Sequence, residues 1–106
     1  MSTTSVAGPY RHLILGQLFA GPGIKDPDAT CPWTRIHQCV RQHASCEWGH
    51  VTPEQHAANE LALRTGGRIR SCYPIDPRRP ATGNNRLWII TEPDRSSTTC
   101  MLATDC

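Results

Sequence analysis

The residue types that most often carry chemistry are concentrated in one short stretch, residues 37–50, which contains three histidines and two cysteines. Cys39, His43 and Cys46 stand at positions i, i+4 and i+7, so a continuous helix would place all three on one side. Zinc accepts thiolate and imidazole ligands, which makes Cys39, His43, Cys46 and His50 a candidate metal site. Their spacing matches none of the common zinc motifs, and buried thiols with surface histidines explain the same residues.

Six cysteines and five histidines also allow a Cys–His nucleophilic pair. No feature of the sequence marks any one cysteine as activated. The glycine-rich phosphate loops and the nucleophile elbow of hydrolases are missing from the chain. Because no acid, base and oxyanion donor can be named together, we expect a non-enzymatic protein that uses no cofactor.

Arginines form the second group of candidate functional residues. Seven lie between positions 64 and 95, where the only acidic residues are Asp76, Glu92 and Asp94. Such a cluster favours contact with nucleic-acid phosphates. The arginines predicted to make this contact are Arg68, Arg70, Arg78, Arg79 and Arg86. No stacking aromatic residues interleave them in the sequence, and charged residues also guard exposed sheet edges.

Protein contact is a third possibility. Trp48 lies in a short loop, where it could fill the seam between two helices or act as an exposed anchor for a partner. A tight turn near the C-terminus carries Glu92, Asp94 and Arg95. These four residues are the predicted partner-contact residues.

The composition predicts one domain, because 106 residues are too few for two hydrophobic cores. A net charge of +2 gives no global field that would draw the chain to nucleic acid or membranes. The apolar run at residues 13–20 is too short for a membrane span and lacks the basic flank of a secretory signal. We therefore expect a cytoplasmic protein with free thiols and no membrane contact. Residues 1–9 have no periodicity and are expected to be frayed.

Apolar residues at helical spacing predict a first helix, Trp33–Ala44, with Trp33, Ile36, Val40 and Ala44 on its inner face. Thr30 or Cys31 is the expected N-cap, followed by Pro32 in the first turn.

A second helix should begin at the capping box of residues 52–55, where the Thr52 hydroxyl accepts from a backbone N–H and Gln55 reaches back. Gly66 and Gly67 should end this helix. Its predicted packing face is a narrow one, formed by Ala57, Ala58, Leu61 and Ala62.

Four segments are predicted to be strands: residues 12–19, residues 68–75, Leu87–Thr91 and Ser97–Leu102. Pro93 and Asp94 favour a tight turn that joins the last two as an antiparallel hairpin. The strand before this turn has no polar residue until Thr91, which predicts a central strand covered on both faces. The order β-α-α-β-β-β gives an α+β domain with a mostly antiparallel sheet and two helices on one face.

Four segments of the chain resemble a family of small uncharacterised proteins carried on plasmids, integrative elements and other mobile DNA. The first two are His43 with the acidic-Trp-Gly loop at residues 47–49, and Asn59 with residues 61–63. The strand at residues 68–73, which is similar to a Gly-Arg-hydrophobic-Ser-x-Tyr strand of the family, and the terminal residues 87–99 complete the resemblance. The chain departs from the family pattern at Cys46, where Gly is usual, at His50 and at its last three residues.

The resemblance implies a mobile-element setting and no established activity. Small proteins in that setting often block host defence by occupying a protein surface, as anti-CRISPR and antirestriction proteins do. Our leading expectation is therefore a non-enzymatic inhibitor of a host nucleic-acid defence complex that acts by protein contact. A nucleic-acid-binding accessory module and a small zinc-binding domain are the alternatives.

Overall fold

A computed structural model describes residues 12–25 and 31–102 of the chain. Within them lie, in chain order, strand β1, helices α1, α2 and α3, and strands β2, β3 and β4. Strand β1 spans Gln17–Ala20. The helices are α1 at Pro22–Lys25, α2 at Trp33–Ala44 and α3 at Pro53–Thr65. The remaining strands are β2 at Ile69–Tyr73, β3 at Leu87–Thr91 and β4 at Ser97–Leu102. Residues 1–9, which we expected to be frayed, lie outside the described residues.

The four strands form one sheet in the order β1-β4-β3-β2. The β2–β3 and β3–β4 pairs are antiparallel, whereas β1 pairs in parallel with β4. The α+β class is therefore confirmed, and the sheet is mixed with mostly antiparallel pairing. The C-terminal hairpin occupies the middle of the sheet, as predicted.

Strand β1 is shorter than the predicted segment, because the chain becomes extended only after Gly16. Gly16 has a φ of +65°, and a Cβ at this position would collide with the backbone of Arg95 and Ser96. The close approach of the hairpin turn therefore delays the start of the strand to Gln17. The strand ends at Ala20, and the short helix α1, which the sequence did not predict, follows it.

Helix α2 has the predicted bounds, but the N-cap prediction is wrong. Pro32 is the N-cap, and its carbonyl accepts from the backbone N–H groups of Arg35 and Ile36. The predicted inner face is partly wrong as well, since Trp33 is 58% exposed. The buried residues of α2 are Ile36, Cys39, His43 and Ala44.

Helix α3 begins and ends as predicted. The Thr52 hydroxyl accepts from the backbone N–H of Gln55 at 3.1 Å, and Gly66 ends the helix with a φ of +86°. The Gln55 side chain does not reach back to the N-cap, because it donates to Asn59 instead. The predicted packing face is partly wrong: Ala62 is buried as predicted, but Ala57, Ala58 and Leu61 are exposed, and the other buried residue of α3 is Asn59.

Asn59 fixes α3 along the outer edge of β2. Its amide donates to the carbonyl of Arg70 at 2.7 Å, and its side-chain oxygen accepts from the backbone N–H of Arg70 at 3.1 Å. The backbone of Trp48 and His50 bonds to Cys72 in the same way, so Asn59 and this loop together complete the hydrogen bonding of an edge strand. Free donors and acceptors there would otherwise be open to another chain.

The hydrophobic core lies on one face of the sheet, where Leu87, Ile89 and Thr91 of β3 are fully buried. The opposite face carries Trp88 and Ile90, which are only half-buried. The prediction that β3 is central is confirmed, but only one of its faces is closed by helices. The second face is partly open to solvent. No helix in the described part of the chain has the length and apolar character needed to cross a membrane.

Candidate functional site

The four candidate zinc ligands do not converge. Cys39 belongs to the hydrophobic core, His50 is exposed, and Cys46 is buried beside Trp48 in a second core cluster. In residues 12–25 and 31–102, no three His, Cys, Asp or Glu side chains are placed to hold a metal ion. A zinc site built from Cys39, His43, Cys46 and His50 is therefore wrong, because the helix ends at Ala44 before it could align them.

His43 is instead the centre of a buried polar network. Its Nδ1 lies 2.5 Å from the Ser71 hydroxyl and its Nε2 lies 2.8 Å from the Thr91 hydroxyl. Thr91 in turn lies 2.7 Å from the hydroxyl of Thr98, which donates to the carbonyl of Leu15. Sequence reasoning missed this network, since its members come from five separate segments.

The single hydrogen on each hydroxyl fixes the direction of this network. Because the Thr98 hydrogen goes to the Leu15 carbonyl, Thr91 must donate to Thr98. Nε2 of His43 then donates to Thr91, and Nδ1 accepts from Ser71. These directions at Nδ1 hold because the ring is neutral at pH 7: burial lowers the pKa of His43 from 6.5 to about 4, with the nearby charge of Arg95 adding to this effect. Both ring nitrogens are occupied, which leaves neither free for a substrate.

Three of the described thiols are protected from acting as nucleophiles. Cys31, Cys39, Cys46, Cys72 and Cys100 are all buried. Burial raises the pKa of Cys39 and of Cys100 to about 11, and it raises the pKa of Cys31 as well. Since the thiolate is the reactive form, these three groups are poor nucleophiles at neutral pH.

The predicted partner-contact residues are largely engaged within the molecule. Trp48 is 3% exposed and its indole N–H donates to Glu60 at 2.9 Å, which confirms the core interpretation and rules out an exposed anchor. Arg95 donates to the carbonyls of Gly67 and Ala62, joining the hairpin turn to the end of α3.

The two acidic residues of the turn also have internal partners. Asp94 accepts from the backbone N–H and the hydroxyl of Ser96, and both bonds lower the pKa of its carboxyl group. Glu92 pairs with Arg68 at 3.1 Å. The turn is exposed, but its charges are already partly satisfied.

The predicted arginine strip divides into two kinds of arginine. Arg68 is paired with Glu92, while Arg78 and Arg79 both pair with Asp76. The hydrogen bonds from Arg78 lower the pKa of the Asp76 carboxyl group to about 2, so this carboxylate stays charged and paired with the arginines at neutral pH. Arg70 and Arg86 have no carboxylate partner among the described residues.

Arg70 and Arg86 meet at Trp88. The register of the sheet places Cys72 opposite Trp88, so Arg70 is a diagonal neighbour of the tryptophan on the same face. Arg86 precedes Trp88 by two residues and shares that face. Their guanidinium carbons lie 4.9 Å and 6.0 Å from the ring centroid, respectively, within the range of cation–π attraction. The aromatic residue that the arginine strip lacked in the sequence is therefore supplied by pairing between strands.

A cavity of about 340 Å³ opens beside this cluster, and we call it the Trp88 pocket. Residues from the start of α3 and from the loop after β2 close its sides, and none of the lining residues is acidic. They are His50, Val51, Thr52, Gln55, Arg70, Cys72, Ala81, Arg86 and Trp88. The sequence signal that could have revealed it is the alternation of Arg70 with Cys72 and of Arg86 with Trp88 on paired strands.

A second surface lies at the opposite end of the sheet, between β1 and α2. Leu18, Phe19 and Trp33 are 55%, 50% and 58% exposed and line one shallow, mostly apolar cavity of about 130 Å³. We call these three residues the apolar patch. Strand β1 is the outer strand of the sheet, and among the described residues no other strand pairs with its free side.

Comparison of the chain with protein-family models, with curated proteins and with solved structures found no match. These comparisons do not test the resemblance to the mobile-DNA proteins, which stays a prediction.

Proposed function

We propose that the protein is a small non-enzymatic binding protein that acts by protein contact, and that its contact surface is the apolar patch. The observation that carries this proposal is the exposure of three large apolar side chains beside an open sheet edge. Natural proteins usually protect such edges with charged residues, prolines or a covering element. Strand β1 carries Leu18 and Phe19 there, whereas the opposite edge is covered by α3.

This arrangement suits a partner that adds a strand to β1 and inserts side chains beside Trp33. Added strands gain affinity from backbone hydrogen bonds, and pockets for alternate side chains give specificity. Tryptophan is enriched among the residues that dominate binding energies. The resemblance to mobile-DNA proteins supports a partner from a host nucleic-acid defence complex, in the manner of anti-CRISPR or antirestriction proteins.

The chemistry of the interior supports a non-enzymatic role. His43 is neutral and has both nitrogens occupied, and three thiols are kept protonated by burial. The proposal differs from the sequence expectation in its contact residues, because Trp48 is buried and Arg95 is used to hold α3.

The test is to compare wild type with Trp33→Ala and with Leu61→Ala. Leu61 is 51% exposed on α3, outside the apolar patch, and is the matched control. After a partner is captured from lysate of the source organism and purified, we expect Trp33→Ala to weaken its binding by about 30-fold or more. Leu61→Ala should bind as wild type does.

Equal binding by the Trp33→Ala variant would contradict the proposal. The oligomeric state of the wild-type chain must be measured alongside, by light scattering. A dimer that Trp33→Ala converts to a monomer would show that the patch serves self-association, which also contradicts a role in binding another protein.

A nucleic-acid-binding module is the second candidate, and the position of Arg70 and Arg86 over Trp88 favours it. If two arginines displace counterions from a single strand, the logarithm of affinity should fall with that of salt with a slope of about −1.4. The affinity for an oligothymidine strand should then fall about sevenfold between about 50 and 200 mM salt. Affinity that does not change with salt would remove this candidate.

A further inference from the structure

The Trp88 pocket is a cationic cavity with no counter-charge in its walls. Arg70 and Arg86 contribute two guanidinium groups, and no lining residue carries a carboxylate. The other arginines of the predicted strip, Arg68, Arg78 and Arg79, each have an acidic partner within 4 Å. The two arginines of the pocket are therefore the ones whose charge is still available.

Arg70 has a donor that the fold leaves unused. Its Nε is buried and has no hydrogen-bond partner among the described residues. A buried, charged donor without an acceptor is unfavourable, so a small movement of the side chain that brings Nε to an oxygen atom of a ligand is favoured. The planar guanidinium presents parallel N–H donors, an arrangement that matches two oxygens of one phosphate group.

The start of α3 adds positive potential to the same cavity. Thr52 and Gln55 line it, and they are the N-cap and the third residue of a helix of 13 residues. Helix N-termini carry a partial positive charge that favours anions. Pro53 has no N–H and the Thr52 hydroxyl takes the N–H of Gln55, while the carboxylate of Glu54 in the first turn offsets part of this charge. The helix therefore adds little, and the contacts to an anion come mainly from the two arginines.

We propose that the Trp88 pocket binds the phosphate group of a phosphate ester, with Arg70 and Arg86 as its anion ligands. The volume of about 340 Å³ falls within the roughly 300–1,000 Å³ of small-molecule sites, so part of a nucleoside fits beside the phosphate. The guanidinium planes and the half-buried Trp88 offer stacking surfaces for a base. This inference is independent of the protein contact proposed above and gives the second candidate function a defined binding site.

The test is a titration of the full ¹⁵N-labelled chain, followed by NMR at the arginine Nε–H and tryptophan indole N–H signals. Four probes are compared at equal ionic strength against chloride: inorganic phosphate, adenosine 5′-monophosphate, an oligothymidine strand without terminal phosphate, and a hexaglutamate peptide. We expect saturable shifts of the Arg70, Arg86 and Trp88 signals with at least one phosphate ester.

The pattern across the probes identifies the source of the phosphate. Shifts with the oligothymidine strand indicate a nucleic-acid backbone, and shifts with adenosine 5′-monophosphate alone indicate a mononucleotide. The proposal is overturned if neither ester shifts these signals beyond the chloride control, or if hexaglutamate binds as tightly as the esters.

Variants then assign the binding energy. Arg70→Gln should weaken ester binding at least about tenfold. Arg70→Lys keeps the charge and loses the planar guanidinium, so its affinity for the ester should lie between those of wild type and Arg70→Gln. Arg78→Gln is the matched control, since Arg78 is exposed and paired with Asp76; it should bind as wild type does. If Arg70→Gln does not fold, Arg86→Gln replaces it, and unchanged ester affinity in that variant overturns the proposal. A failure of the protein-binding test with Trp33→Ala would leave this proposal unchanged, because the two tests probe different surfaces.

Discussion

The buried imidazole of His43 makes the stability of this protein depend on pH in a direction that can be worked out. Burial lowers the pKa of His43 to about 4 in the folded state, whereas the same group titrates near 6.5 when unfolded. Between pH 4 and pH 6.5, the imidazole of His43 is protonated in the unfolded chain and neutral in the folded chain. Stability from this group is therefore full above about pH 6.5 and is lost as the pH falls toward about 4.

The size of the loss follows from the difference of about 2.5 pKa units. At about 1.4 kcal/mol per unit, and with half of the folded imidazoles protonated at pH 4, the loss by that pH is about 3 kcal/mol. A small domain is stable by only about 5–15 kcal/mol, so this is a large fraction of the total. The cause is structural: protonation puts a second N–H against Ser71 and a charge into a network of hydroxyls.

The assay is urea unfolding at several pH values from about 7.5 to about 4 for wild type, His43→Gln and His37→Gln. His43→Gln lacks the titrating group, so the stability difference between wild type and this variant should shrink by about 3 kcal/mol over the range. His37 is exposed on the same helix, and its replacement should leave the pH dependence of wild type unchanged.

A direct titration of the His43 ring by NMR complements this measurement and does not need the variant to fold. A His43 pKa above about 6 in the folded protein, or a stability difference that stays constant to within about 1 kcal/mol, would refute the reasoning.

Three further predictions concern the contacts that hold the fold. Arg95→Ala should lower the free energy of unfolding by about 2–4 kcal/mol, because two charged hydrogen bonds to Gly67 and Ala62 are lost. Arg95→Gly relieves the positive φ at this position and should therefore be less destabilised than Arg95→Ala; an Arg95→Ala variant as stable as wild type, measured by thermal unfolding, would show that the bonds contribute little. Asn59→Ala should cost about 2–3 kcal/mol and free the β2 edge for aggregation, which light scattering detects and which Leu61→Ala should not produce. A thiol reagent should label Cys31, Cys39 and Cys100 only after unfolding, as followed by mass spectrometry, and rapid labelling of the native chain would contradict their burial.

The correct sequence predictions share one property, which is that a few neighbouring residues decide them. The bounds of α2, the Thr52 cap of α3, the Gly66 stop and the Pro93 turn all depend on contacts within about four residues. The central position of β3 is confirmed as well, although the inference that both of its faces are covered is wrong, because Trp88 and Ile90 lie on a face that is partly open to solvent.

The wrong predictions concern side chains whose surroundings come from distant segments. Trp33 was assigned to the inner face of α2 and is exposed, because β1 is too short and too peripheral to cover it. Periodicity indicates which residues share a face, but not how much of that face another element reaches. The burial of Trp48, by contrast, is as expected, because a chain with only 6% aromatic residues has few large side chains to fill its core.

The amino-acid sequence by itself determined helices α2 and α3, the hairpin and the α+β class, since short-range hydrogen bonding and apolar spacing act before any long-range contact forms. Only the tertiary structure decided that β1 joins β4 in parallel, that His43 is enclosed by hydroxyls, and that Trp88 lies beneath Arg70 and Arg86. The physical reason is that these contacts join residues far apart in the chain. Their geometry depends on strand register and helix placement, which no local pattern specifies.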